Sequence, residues 1–156
     1  MIFDVAEVID MGIEKEKKRR DFYGSVAEKF ERKEIRELFE RLRDWEETHI
    51  KKFSEVRESV KEPATAESYP GELEAYMNAL IDDKLYDEVS PDRFSGSVKD
   101  ARDAIRYAIG FEKDAILFFN ELLTYMKSPE REPVEKLISE EKQHIVYLSE
   151  LRRGLK

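Results

Sequence analysis

Glu46-Glu47-Thr48-His49 and Glu141-Lys142-Gln143-His144 share one spacing, Glu-x-x-His, and between them they hold both histidines of the chain. On a helix, positions i and i+3 lie on one face, so each motif offers a carboxylate oxygen and an imidazole nitrogen to a single point. That pair is half of a binding site for a transition-metal ion. One such motif means little, because exposed helices are rich in glutamate, and the plainer alternative is a solvated Glu/His pair. Two motifs that use every histidine call for elements able to position them.

Helical periodicity supplies those elements. A first helix is expected over about 4–31, with Asp4 as its N-cap. Its stripe runs Val5, Val8, Ile9, Gly12, Glu16, Tyr23, Val26, Ala27, Phe30, in which Glu16 is the one charged residue. Glu14 is a rival to Glu16, but it sits about 200° round the helix and fits the outer face. A second helix is expected over about 34–60, striped Ile35, Leu38, Leu42, Trp45, Glu46, His49, Phe53, Val56, Val60. The short break at Arg32-Lys33 makes these two an antiparallel hairpin. Pro63, Pro70, Gly71, Pro91 and Gly96 interrupt residues 61–97. One or two short helices fit between Glu72 and Val89, capping the bundle or meeting a second subunit. So long a crossover lets the third helix run parallel to the second.

The third helix is expected over about 98–127, with Ser97 and Asp100 in capping-box spacing. Its stripe is Ala101, Ala104, Ile105, Ala108, Glu112, Ala115, Phe119, Leu122, Met126. Ser128-Pro129 reads as cap and first turn of a fourth helix over about 130–154, with Val134, Leu137, Ile138, Glu141, His144, Leu148, Leu151 and Leu155 on one face. The halves repeat. Gly12 to Tyr23 aligns without gaps on Ala108 to Phe119, and Trp45 to Val56 aligns on Glu140 to Leu151, in frames that differ by one residue. Each half thus brings one stripe glutamate and one Glu-x-x-His, and every candidate ligand falls inside an apolar stripe.

Four carboxylates and two imidazoles facing one core cannot stay bare, since an unpaired buried carboxylate costs several kcal/mol. The cations nearest the stripes are Arg20 and Arg106, while Lys17-Lys18-Arg19-Arg20 reads as a solvated face whose stems cover apolar surface. Two divalent ions would balance the four charges, and mixed carboxylate and imidazole donors suit iron or manganese. The arrangement resembles the rubrerythrin-like branch of the ferritin-like di-iron carboxylate superfamily across both hairpins, including the Glu-(x)6-Tyr spacing from Glu16 to Tyr23. The resemblance implies Glu16 and Glu112 as terminal ligands, Glu46 and Glu141 as carboxylates bridging both metals, and His49 and His144 as nitrogen ligands. Tyr23 would be a donor to a ligand or a redox-active phenol, with a plain core aromatic as the alternative; Trp45 reads as packing. Two departures stand out. The chain has no cysteine, hence no rubredoxin-type iron centre, and Phe119 and Trp45 break the symmetry of the repeat.

Composition agrees. The chain has 156 residues, 41% of them charged, and a net charge of −8, which argues against a nucleic-acid surface. Without cysteine there is no disulfide, thiol catalysis or iron–sulfur ligation. No run reaches membrane-spanning length and Met1-Ile2-Phe3-Asp4 is no signal peptide. The expectation is therefore one all-α, ferritin-like domain over 1–156, a four-helix bundle of two hairpins joined by a long crossover. It would be cytoplasmic, a homodimer or higher homo-oligomer, bind no nucleic acid and no membrane, and hold two iron ions, with manganese or a mixed pair as the alternative. Its reaction would be reduction of peroxide or dioxygen with electrons from an external donor. The alternatives are ferritin-like iron oxidation and storage, and a non-catalytic metal-binding bundle.

Overall fold

A computed structural model describes residues 5–60, 72–82 and 84–155, so Asp4, the expected first cap, lies outside the described residues. Among those residues there are seven helices and no strand: α1 (Val5–Lys29), α2 (Lys33–Ser59), α3 (Glu72–Ile81), α4 (Lys84–Asp87), α5 (Phe94–Ser97), α6 (Ala101–Leu123) and α7 (Arg131–Gly154). None is long and apolar enough to cross a membrane. The architecture is an all-α ferritin-like bundle.

The four long helices pack as two hairpins, α1 on α2 and α6 on α7, with α1 also against α6 and α2 against α7. Cross-contacts fix the directions. Arg57, late in α2, pairs with Asp10, early in α1. A Cβ on Gly12 would meet Phe118, whereas Phe22 meets Phe111. His49 meets Glu140, whereas Trp45 meets Tyr147. Neighbours are therefore antiparallel around the ring, and α2 and α6 run parallel across its diagonal.

Two helix starts differ from the sequence expectation. Asp100, not Ser97, caps α6: its side chain accepts from the Asp103 backbone N–H at 2.8 Å. Ser97 instead closes α5 and donates its hydroxyl to the Glu88 carbonyl. The shorter reach from Asp100 Oδ1 to an N3 amide wins, because this residue's backbone is extended as a cap requires. Likewise α7 begins at Arg131 rather than at Pro129. The turn before it is tied down by Arg131, whose guanidinium donates to the carbonyls of Leu123 and Met126.

The described part of the crossover around residues 80–88 packs on the bundle. Tyr86 stacks on Phe111 with centroids 3.9 Å apart, and the Tyr107 hydroxyl donates to Glu88 at 2.8 Å. Leu80 is partly buried and Leu85 sits over Gly110. Leu73, Met77 and Ile81, also expected in that stripe, lie outside the described side chains.

The core is split. One apolar cluster gathers Tyr23, Val26, Phe39, Leu42, Ala108 and Phe111, and the other Val8, Ile9, Phe53, Ala115, Phe119 and Leu137. Between them lies a layer of buried polar residues: Glu16, Arg19, Glu46, His49, Glu112, Glu141 and His144. Each stripe carries its buried polar residues at one level of the bundle, with apolar residues on either side along the helix.

Two glycines of α1 are expected to respond oppositely to added side chains. At Gly12 a Cβ would sit 3.1 Å from Phe118, whereas at Gly24 its nearest neighbour is the flexible Arg43 stem at 3.5 Å. Gly24→Ala should raise stability by about 0.5–1 kcal/mol through helix propensity. Gly12→Val should lower it by about 1–3 kcal/mol through overpacking. Urea titration followed by circular dichroism reads both; the same sign for the two would contradict this packing.

Candidate metal centre

Each long helix delivers its part of the polar layer by register. On α1, Glu16 lies four residues past Gly12 and seven before Tyr23, so it inherits the inward face of both. On α6, Glu112 takes the equivalent place between Ala108 and Phe119. On α2 and α7, the i, i+3 spacing turns Glu46 with His49, and Glu141 with His144, to one side. All four glutamates are wholly buried, and the histidines nearly so.

The six side chains form two overlapping groups. Glu16, Glu46, His49 and Glu141 make one; Glu46, Glu112, Glu141 and His144 make the other. Within each group one donor atom per residue lies within 4.8 Å of all the rest, and Glu46 and Glu141 belong to both. His49 Nδ1 stands 2.7 Å from Glu141 Oε1, 3.5 Å from Glu46 Oε2 and 3.6 Å from Glu16 Oε2. His144 Nδ1 stands 3.4 Å from Glu112 Oε1, 3.5 Å from Glu141 Oε2 and 3.8 Å from Glu46 Oε1. The two rings face each other, centroids 5.7 Å apart and planes within 14°.

Ten buried side-chain atoms among the described residues lack a hydrogen-bond partner, and eight belong to these six residues. They include both oxygens of Glu46 and of Glu141, one oxygen each of Glu16 and Glu112, and Nδ1 of both histidines. Unsatisfied buried donors and acceptors are rare, because each carries its full desolvation penalty. Eight on the six residues of these two groups, all of them oxygen or imidazole nitrogen, fit divalent transition-metal ions.

The surroundings are not symmetric. Tyr23, fully buried, donates its hydroxyl to Glu112 Oε1 at 2.5 Å; burial raises its pKa well above the usual phenol value, so it holds its proton there. Phe119 occupies the matching place in the other half. His49 is steered from outside: its Nε2 lies 2.7 Å from Glu140 Oε2, which favours the tautomer with Nδ1 free toward the centre. The counterpart of Glu140 is Trp45, which instead stacks on the His144 ring at 4.8 Å and 10°, and on Tyr147 at 5.6 Å. Trp45 therefore packs on a site residue, beyond a simple helix contact.

Arg19 overturns one expectation. The Lys17–Arg20 run is not a uniformly solvated face: Arg19 is 1% exposed, hydrogen-bonded through Nη2 to Glu16 Oε1, with Nε 3.7 Å from Glu46 Oε2. Arg20 pairs with Glu47 at the surface and Arg106 is largely exposed, so neither enters the core. The sequence does carry a signal. Arg19 falls three after Glu16 and four before Tyr23, squarely in the α1 stripe, but the neighbouring basic residues mask it. Glu140 is likewise visible only as the partner of Trp45 in the repeat.

Solvent approaches from the α2–α7 side. A cavity of about 540 Å³ is lined by His49, Lys52, Val56, Pro133, Leu137 and Glu140, and a second of about 270 Å³ by Trp45, Thr48, His49, Gln143, His144 and Tyr147. Glu140, 40% exposed, borders both.

A family model described as rubrerythrin matches residues 7–152. No curated protein and no solved structure matches the chain.

In metal-free protein, burial alone would lower the His49 pKa, but Glu141 and then Glu16 carry it up to about 10 from 6.5. A group raised on folding stabilises the fold fully below its unfolded value and loses that contribution as pH rises through its folded value. The melting temperature of metal-free protein should therefore fall between about pH 7 and pH 10, and the fall should be shallower in His49→Gln. Thermal melts in chelator across that range test it; parallel curves for the two proteins would contradict the assignment.

Proposed function

We propose a di-iron oxidoreductase, starting from one premise: the chain belongs to the rubrerythrin family. The observation that supports it best is the pair of overlapping donor groups sharing Glu46 and Glu141. Glu16 and His49 would hold one ion and Glu112 and His144 the other, each histidine through Nδ1, while Glu46 and Glu141 serve both. Two iron ions held there would supply the two electrons that, with two protons, reduce peroxide to two waters, and an external donor would restore them.

The chain's own residues prepare the site for that work. Glu46 and Glu141 both face the two imidazoles, so each carboxylate is placed to serve either ion as the charge between them changes. Tyr23 fixes the orientation of Glu112 and leaves its Oε2 without a hydrogen-bond partner. Glu140 fixes the ring of His49 in the same way. The apolar clusters on both sides keep bulk water out, which strengthens every charge interaction inside. The cavities on the α2–α7 side give a small oxidant room to reach the histidines. Dioxygen would fit the same space. These 156 residues hold no cysteine to ligate an iron–sulfur relay, which fits an external electron donor.

Glu46→Ala and His144→Ala should each lose about half of the bound iron and nearly all peroxide turnover, read by elemental analysis and by peroxide consumption under a chemical reductant. Variants that keep two ions per chain would remove the ligand assignment. Light scattering separates this function from iron storage: a dimer or tetramer is expected, and a large closed shell would favour storage.

A further inference from the structure

We propose that Arg19 makes the two metal positions unequal, so that the Glu112/His144 position fills first and the Glu16/His49 position second. The inference rests on the two-ion reading of the site and deepens it.

The repeat supplies the comparison. Both halves bring the same three donors, yet Arg19 on α1 corresponds to Ala115 on α6, itself buried. A guanidinium keeps its proton under all ordinary conditions, so its positive charge is permanent. It is 1% exposed and bonded to Glu16, a donor that belongs to only one of the two groups. The donor matching Glu16 in the other group, Glu112, is bonded to the neutral hydroxyl of Tyr23. A cation beside Glu16 therefore faces a fixed like charge at close range in a poorly screened interior, and a cation beside Glu112 does not.

Charge balance points the same way. With the histidines neutral, as they must be to ligate an ion, the four carboxylates and the Arg19 guanidinium sum to three negative charges. One divalent ion reduces these to one, and a second carries the layer past neutrality. The opposing influence is Glu140, which puts a negative charge on the outer nitrogen of His49. Glu140 is 40% exposed, so water weakens its effect, whereas nothing comparable shields Arg19. Arg19 Nε also lies 3.7 Å from the shared Glu46, but that contact affects both positions. A centre that fills in two steps can also hold two different cations.

The test is anaerobic titration of the metal-free full chain with cobalt(II), followed by calorimetry and visible absorption. Two steps are expected, at least about tenfold apart in affinity, equivalent to about 1.4 kcal/mol. His144→Ala should abolish the tighter step and His49→Ala the weaker one. Arg19→Gln should bring the steps within about threefold by tightening the second, while Arg19→Lys, which keeps the charge, should leave them apart. A single step of two equal ions in the natural chain overturns the proposal, as does loss of the tighter step in His49→Ala or an unchanged gap in Arg19→Gln. The two histidine variants decide the order even if Arg19→Gln does not fold. No cobalt uptake by the natural chain would instead overturn the two-ion reading itself.

Discussion

Four carboxylates with no access to water are held between two apolar clusters, and the bundle is arranged around that conflict. Burying a carboxylate without a partner is among the most unfavourable things a fold can do. Here the shortfall is concentrated: among the described residues, eight of the ten unpartnered buried side-chain atoms belong to the six residues of the two donor groups, between two apolar clusters. A chain selected only to fold would replace these residues with leucine and gain stability. Their presence in one layer, supplied by all four long helices, is the physical reason to read the centre as a site for cations.

The duplicated hairpins also show how a repeat can keep its donors and diverge around them. Glu16 and Glu112, Glu46 and Glu141, His49 and His144 match across the two halves. The groups that touch them do not. Glu16 meets a guanidinium and Glu112 a phenol; His49 meets a carboxylate and His144 an indole. Each difference acts one contact away from the donors and alters charge, orientation or access without changing the donor set. Symmetry in the backbone thus coexists with two chemically different ends.

Much of this is legible in the amino-acid sequence. The stripes place all six donors inside, because a glutamate recurring at a core position of a 3.6-residue period has nowhere else to point. The repeat joins them into one centre, and the resemblance to the rubrerythrin-like branch carried by those motifs agrees with the family match. What escapes the sequence is local competition. Arg19 sits in the stripe, but its three basic neighbours make the run look like a surface. Asp100 and Ser97 both suit a cap, and only backbone conformation separates them. The Tyr23–Glu112 contact joins residues 89 positions apart, and no pattern along the chain specifies such a distance.

Anomalous diffraction from crystals grown with iron(II) under anaerobic conditions tests the central claim most directly. Two peaks are expected about 3.5–4 Å apart, both in contact with Glu46 and Glu141, one completed by Glu16 and His49 and the other by Glu112 and His144. A centre that stays free of metal with its side chains arranged as here, or peaks bound elsewhere on the bundle, would contradict it.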